Sequence, residues 1–266
     1  MEGSILSVNL ATDKEDQYIY SILKRFKLVD IRENYCDLIE EAKKEQLDYK
    51  QFLLHILQHE ERGKKRRMTA KLIREAHFEK EQSLDEYDFS FHNFQHMKKI
   101  QELSTLEFLD RKENIILIGP PGVGKSCIAT GIGMKACEAG KKVLFVNAIE
   151  FIAELAVQAT QGRLKPLFKK LARIPLIAID ELGYLKMDKE KESLFFQFIR
   201  HRYEKNALII TTNLPLDHWD EVFTSQLAAT AILDRLVHHS HIVSITGDSY
   251  RVKGKKKGIN SNEKSH

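Results

Sequence analysis

Two hydrophobic rhythms divide the chain. In the N-terminal third, apolar residues recur at helical spacing: Tyr18, Ile19, Ile22, Leu23 and Phe26, then Leu38 and Ile39, then Phe52, Leu53, Ile56 and Leu57. Side chains three and four positions apart share one helix face, so this stretch predicts amphipathic helices. Asp48 followed three residues later by Gln51 has the form of a capping pair and predicts where the longest of them starts. Gly63 predicts a weak point in that helix, because glycine is about 1 kcal/mol worse than alanine in a helix interior.

From Asn114 the rhythm changes to short continuous apolar runs separated by helical stretches: NIILI (114–118), VLFVN (143–147), LIAID (176–180), ALIITT (207–212) and HIVSI (241–245). Strands buried on both faces read as unbroken apolar runs, so the pattern predicts an α/β fold with a five-stranded parallel sheet covered by helices on both sides. The expected organisation is a small all-helical domain over 1–80, a linker and packing helix over 81–113, the α/β core over 114–252, and a basic tail over 253–266. Within the linker, Glu79 to Met97 is polar and acidic and carries Phe89, Phe91 and Phe94, which are expected to pack on the core.

Composition narrows the class. A chain of 266 residues that is 42% hydrophobic and 30% charged has enough apolar side chain for a buried core, which excludes a disordered protein. The opening residues lack a basic start followed by an apolar run, and no stretch reaches the ~18 uninterrupted apolar residues of a membrane span, so the expectation is a cytoplasmic protein with no membrane partner. Cys36, Cys127 and Cys137 have no CxxC spacing and are expected to be buried small hydrophobes. Net charge is only +4, but it is unevenly placed: Glu60 to Glu75 holds seven Lys/Arg against three Glu, and Arg251 to His266 six against one.

The sharpest chemical signal follows the first apolar run. Gly119, Pro120, Pro121, Gly122, Val123, Gly124, Lys125 and Ser126 form a complete GxxxxGK[ST] loop, and Cys127 continues it into a helical stretch. Glycines let backbone N–H groups close around phosphate oxygens and the helix N-terminus adds partial positive charge. Lys125 then reaches the β- and γ-phosphates and Ser126 ligates magnesium. The loop predicts binding of ATP with Mg2+.

The third run ends in Asp180 and Glu181, two carboxylates at the C-terminal edge of a buried strand, where open α/β sheets bind ligands. Asp180 suits the magnesium shell beside Ser126, and Glu181 suits a base for the attacking water. Asn213 closes the fourth run, where a neutral amide can bond both the γ-phosphate and the lytic water without adding repulsive charge. Hydrolysis also calls for a cation on the transferring phosphoryl group, worth about 10³ to 10⁵ in rate. Arg235 in ILDRL and Arg251 in DSYR are the candidates.

The ordered set GPPGVGKS, IAIDELGY, TTNLP, AILDRL and GDSYR resembles the IstB-like helper ATPases of bacterial insertion sequences, a branch of the AAA+ proteins near the DnaC helicase loaders. FLLHILQHEERGKKRRMTAKLIREAHF followed by SLDEYDFSF extends the resemblance ahead of the phosphate loop. The resemblance implies an AAA+ core in which Asp180 and Glu181 match Walker B, Asn213 the first sensor, Arg235 the arginine finger and Arg251 the second sensor. It also implies a homo-oligomer formed with ATP on duplex DNA, and hand-over of that DNA to a cognate transposase. Arg62, Lys64, Lys65, Arg66, Arg67, Lys71 and Arg74 are then candidates for phosphate contacts; the alternative for such a run is a solvated helix face.

Two other readings stay open. A DnaC-like loader would use the same core on single-stranded DNA, and a small-molecule P-loop kinase would pass the phosphoryl group to a metabolite; Glu181 beside Asp180, with Asn213, suits water better than a metabolite acceptor. His55 and His59 with Glu60 do not make an HExxH motif, and His238, His239 and His241 have no acidic residue or cysteine beside them in ligand spacing, so the only metal expected is the nucleotide's magnesium.

Overall fold

The computed structural model describes residues 14–84, 94–183 and 186–246. The chain divides into two compact units between Ala70 and Lys71.

The N-terminal unit contains α1 (Lys14–Arg25), α2 (Val29–Lys44) and most of α3 (Tyr49–Ala76). Asp48 and Gln51 exchange hydrogen bonds at the start of α3, each side chain accepting from the other's backbone N–H at 2.8 and 2.9 Å. This satisfies two N–H groups that a helix start leaves unpaired. Gly63 does not interrupt the helix. A Cβ there would coincide with the carboxylate of Asp30, so glycine is the residue that lets α2 lie against α3 at this point.

The N-terminus of α2 is capped from across the unit. Leu28 offers no side-chain cap, and the Glu60 carboxylate accepts from Asp30 N at 2.9 Å and Ile31 N at 3.0 Å. A carboxylate is favoured there by the free N–H groups and the helix dipole. Arg67 pairs with Asp30 and, at 3.2 Å, with Glu60, so the two buried acids share a cation. Among the described residues, the apolar core of this unit is small, Ile31, Leu38 and Ala42, and α1 buries no residue. Tyr18, Phe26, Leu53, Leu54 and Leu57 keep more than half of their surface exposed.

In the C-terminal unit β1 (Asn114–Ile118), β2 (Val143–Asn147), β3 (Leu176–Asp180), β4 (Ala207–Thr212) and β5 (Ser240–Ser244) form one parallel sheet of order β2-β3-β4-β1-β5. Alternate strand residues feed two cores. Ile116, Ile177, Ile179, Leu208 and Ile210 pack with α7 (Ala148–Thr160), α8 (Leu164–Leu171), α9 (Lys189–Arg202) and α10 (Gln226–Val237). Ile115, Leu117, Leu176, Ala178 and Ile209 pack with α6 (Lys125–Glu138), α4 (Phe94–Leu103) and α5 (Glu107–Arg111). Burial on both faces is why each strand reads as a continuous apolar run.

The last strand begins one residue earlier than its apolar run and ends at Ser244; Ile245 N still donates to Ile118 O at 2.6 Å. The expected packing of Phe89, Phe91 and Phe94 lies outside the described side chains. Cys137 is buried as expected, but Cys127 is only half-buried and Cys36 is exposed, because α2 turns that part of its surface to solvent. Burial pushes the Cys137 thiol up to about 11, with the neighbouring Glu138 charge adding to it.

One buried cation fastens the connections below the sheet. Arg202 donates to Leu171 O (3.0 Å), Ile174 O (2.7 Å), Pro175 O (3.3 Å) and Ala207 O (2.6 Å), joining the end of α9 to the turn before β3 and to the start of β4. Burial pulls its guanidinium below the usual arginine range. The fork of donors offsets that cost with four hydrogen bonds to carbonyls at strand and helix ends, of which Leu171 O and Pro175 O also accept from a backbone N–H.

Candidate nucleotide-binding site

The site gathers at the C-terminal ends of four adjacent strands. Ile118 of β1 is in register with Thr212 of β4 and Asn147 of β2 with Asp180 of β3, so the loops that leave these strands converge. The phosphate loop follows β1 directly. Gly122 and Gly124 have φ of 84° and 94°, values that a side chain resists, and Gly124 is the N-cap of α6. Gly119 is required for another reason: a Cβ would collide with Ile245 O, where the chain leaves β5. Pro120 and Pro121 are exposed, Val123 is buried beneath the loop, and Lys125, Ser126 and Cys127 form the first turn of α6.

Lys125 is 8% exposed, and its ammonium donates to Gly119 O at 2.7 Å and Pro120 O at 2.9 Å, which holds the charge across the loop. Ser126 Oγ donates to Asp180 Oδ1 at 2.9 Å. The same carboxylate oxygen accepts from Thr211 Oγ1 at 2.5 Å, and Thr211 Oγ1 accepts from Glu181 N at 2.9 Å. A hydroxyl and a carboxylate at hydrogen-bond distance, one from the loop and one from β3, form the pair of hard oxygen donors that a Mg2+ ion takes alongside phosphate oxygens. The residues present fit that ion.

Glu181 stands at φ 60°, a left-handed conformation that is uncommon outside glycine. The turn it makes sends Asp180 inward and leaves Glu181 half-buried at the strand edge. Asn147, at the end of β2, donates Nδ2 to Glu181 Oε2 at 3.2 Å while its Oδ1 accepts from Ile149 N at 2.9 Å and caps α7. Asn213 follows β4, and its Oδ1 is buried with no hydrogen-bond partner. Gly183 brings the loop after β3 alongside it, because a Cβ there would lie 3.2 Å from that oxygen. A buried amide oxygen without a partner is costly unless a ligand group or water completes it.

The structure therefore brings together the Gly119–Cys127 loop, Asp180, Glu181 and Asn213. Arg235 lies on α10, 4.8 Å over the Phe196 ring of α9, with Nη1 donating to Ala231 O at 2.6 Å. Arg251 is outside the described residues. Two participants were missed in the sequence, Asn147 and Thr211. The only signal for either was a polar residue closing an apolar run, at the same edge as Asp180.

Of the basic run on α3, Arg62, Lys64, Lys65 and Arg66 are exposed, although Arg66 lies 3.5 Å from Asp30. Arg67 is committed to Asp30 and Glu60, and Lys71 is 3.8 Å from Glu75. Arg74 lies on the rim of a groove of about 950 Å³ beside the edge strand β2, with Lys142, Lys170 and Arg173 and with Glu75, Glu150 and Glu154 among them.

A parallel sheet of this order, with the phosphate loop after β1 and a carboxylate pair at the end of β3, defines a P-loop nucleotide-binding protein of the AAA+ fold. Residues 21–258 match the model of the IstB-like ATP binding proteins, and the chain belongs to that family. It is 39% identical over 236 residues to a Pseudomonas aeruginosa protein described as an ATP-binding protein of insertion sequence IS21, a match that spans 89% of each chain. Among solved structures, it resembles DnaI at a TM-score of 0.53 and 19% identity, covering 67% of this chain and 92% of that one. It also resembles a DNA replication initiation factor at 0.54 and 19%, covering 67% of this chain but only 54% of the other. At these identities the likeness is one of fold. Among the described residues, no helix is long and apolar enough to cross a membrane.

Proposed function

We infer that this chain hydrolyses ATP, assembles with ATP as a homo-oligomer on duplex DNA, and in that form assists the transposase of its insertion sequence. The observation that carries the enzymatic part is the carboxylate pair: Asp180 is tied to Ser126, and Glu181 is turned away from it toward Asn147. The two acids thus face different partners, one a metal ligand and the other free to take a proton. Ser126 and Asp180 would hold Mg2+, which when bound neutralises charge on the phosphate oxygens. Lys125 adds an ammonium at the loop. Glu181 accepts a proton from water as its oxygen attacks the γ-phosphorus, the bond from that phosphorus to the β–γ bridging oxygen breaks, ADP leaves with the electron pair, and the Asn213 amide orients the water. Arg235, from a neighbouring subunit, and Arg251 supply positive charge to the transferring group.

The assembly reading is supported by the exposed apolar residues of the N-terminal unit, Tyr18, Phe26, Leu53, Leu54 and Leu57, which leave apolar side chains open to a partner. The DNA reading is supported by the basic run of α3, with residues 1–80 proposed as the DNA-binding domain. No aromatic residue lies between Arg62 and Arg74, which suits backbone contacts on a duplex better than stacking on single strands. The transposition setting, and with it a cytoplasmic location, is supported by the relatives' attribution to insertion sequences.

Phosphate release measured with no added acceptor tests the enzyme. The parent is expected to turn over and Glu181→Gln to bind ATP with release slowed about 10²-fold or more; parent-level release from the Gln variant would remove Glu181 from the mechanism, and none from the parent would favour a kinase. Size analysis with duplex or single-stranded DNA, with and without ATP, tests the assembly. Growth on single strands alone would favour a helicase loader.

A further inference from the structure

The turn after α9 and the end of α10 bring Glu204 beside His238 and His239, from which it is distant in sequence. Glu204, His238 and His239 each have a ligand atom within 4.8 Å of the other two. We propose that they form a binding site for a borderline divalent cation, with Zn2+ the ion of best fit. The donor set is two imidazoles and one carboxylate. That set suits Zn2+, Ni2+ or Cu2+ and is a poor one for Mg2+ or Ca2+, which take oxygen ligands. Three protein ligands plus water complete a tetrahedral Zn2+ shell.

The surroundings have the features of a held site. Tyr203 Oη lies 2.9 Å from His238 Nδ1 and restrains that ring, as outer hydrogen bonds restrain metal-bound imidazoles. His239 Nε2 is 3.6 Å from Glu204 Oε1, and the two imidazole centroids are 4.2 Å apart. Tetrahedral ligands about 2.1 Å from zinc lie about 3.4 Å from one another, so small rotations of exposed side chains close the shell.

The backbone beneath these residues is fixed. His238 N donates to Asp234 O at 3.1 Å, His239 O accepts from Asn114 N at 2.7 Å at the start of β1, and Lys205 N donates to Arg202 O at 2.9 Å behind Glu204. Glu204 itself stands at φ 56°, where glycine or asparagine is the easier choice in a turn. A bound ion would tie the α9–β4 turn to the C-terminal end of α10, the helix that carries Arg235.

The test uses the full-length, nucleotide-free protein and zinc chloride in calorimetry, with zinc-dependent thermal unfolding as a second readout. One equivalent is expected to bind with a micromolar dissociation constant, unaffected by a thousandfold excess of Mg2+, and to raise the Tm by about 5 °C at saturating ion. Glu204→Gln, which keeps the size of the side chain, should weaken binding at least tenfold, and the His238→Ala/His239→Ala protein should lose it with its circular dichroism unchanged. Co2+ in place of Zn2+ should give a visible absorption band that the double variant lacks. Binding weaker than about 100 μM in the parent would overturn the site. So would an unaltered isotherm in the folded double variant, because the ion would then sit on other histidines or on Cys36.

Discussion

Asn147 Nδ2 donates to Glu181 Oε2 at 3.2 Å, linking the last residue of β2 to the residue that follows β3. The same side chain caps α7 through its other atom, so this one amide sets both a helix start and the position of a candidate base.

Asn147→Asp separates the two roles. The cap survives, since a carboxylate oxygen accepts from Ile149 N as well as an amide oxygen does. The hydrogen bond that positions Glu181 is replaced by a like charge facing it, so phosphate release should slow about tenfold or more with little change in KM for ATP. Release at the parent rate would show that Asn147 does not position the base.

The basic run of α3 divides into two kinds of residue. Lys64 and Lys65 are exposed, so Lys64→Ala/Lys65→Ala should leave stability alone and flatten the salt dependence of log K on duplex DNA by up to about 1.8, since each phosphate that a lysine neutralises adds about 0.9 to the slope. Fluorescence anisotropy over a salt series reads this directly, and an unchanged slope would place the DNA surface elsewhere on the chain. Arg67→Ala should behave differently, costing the N-terminal unit about 3 kcal/mol because buried Asp30 and Glu60 would be left without their shared cation.

Arg202→Leu should lower the Tm of the C-terminal unit by about 10 °C, because four buried hydrogen bonds from one guanidinium are lost at once. Arg202→Lys should recover little, since one ammonium cannot span a fork of four acceptors. Differential scanning calorimetry decides this; a Lys variant as stable as the parent would mean that the charge alone matters.

The thiols should separate by burial. Iodoacetamide at pH 8 is expected to alkylate Cys36 in the native protein and to leave Cys137 untouched until unfolding, because Cys137 is enclosed and its thiol is held up to about 11. Peptide mapping by mass spectrometry checks it, and early labelling of Cys137 would reveal local opening of α6.

What could be read along the chain was whatever depends on near neighbours. Five strands buried on both faces leave continuous apolar runs, the phosphate loop needs its glycines at set spacing, and the Asp48–Gln51 cap closes within one turn. The tertiary structure alone decided the pairings between distant segments. Gly63 proved to be a contact point for Asp30, Glu60 the cap of another helix, Asn147 the partner of Glu181, and Glu204 the neighbour of His238 and His239. Each joins residues about 30 or more positions apart, through hydrogen bonds, charges or close approach. Such pairings need only one suitable residue at each end and so impose no period on the sequence, whereas burial of a whole helix or strand face does.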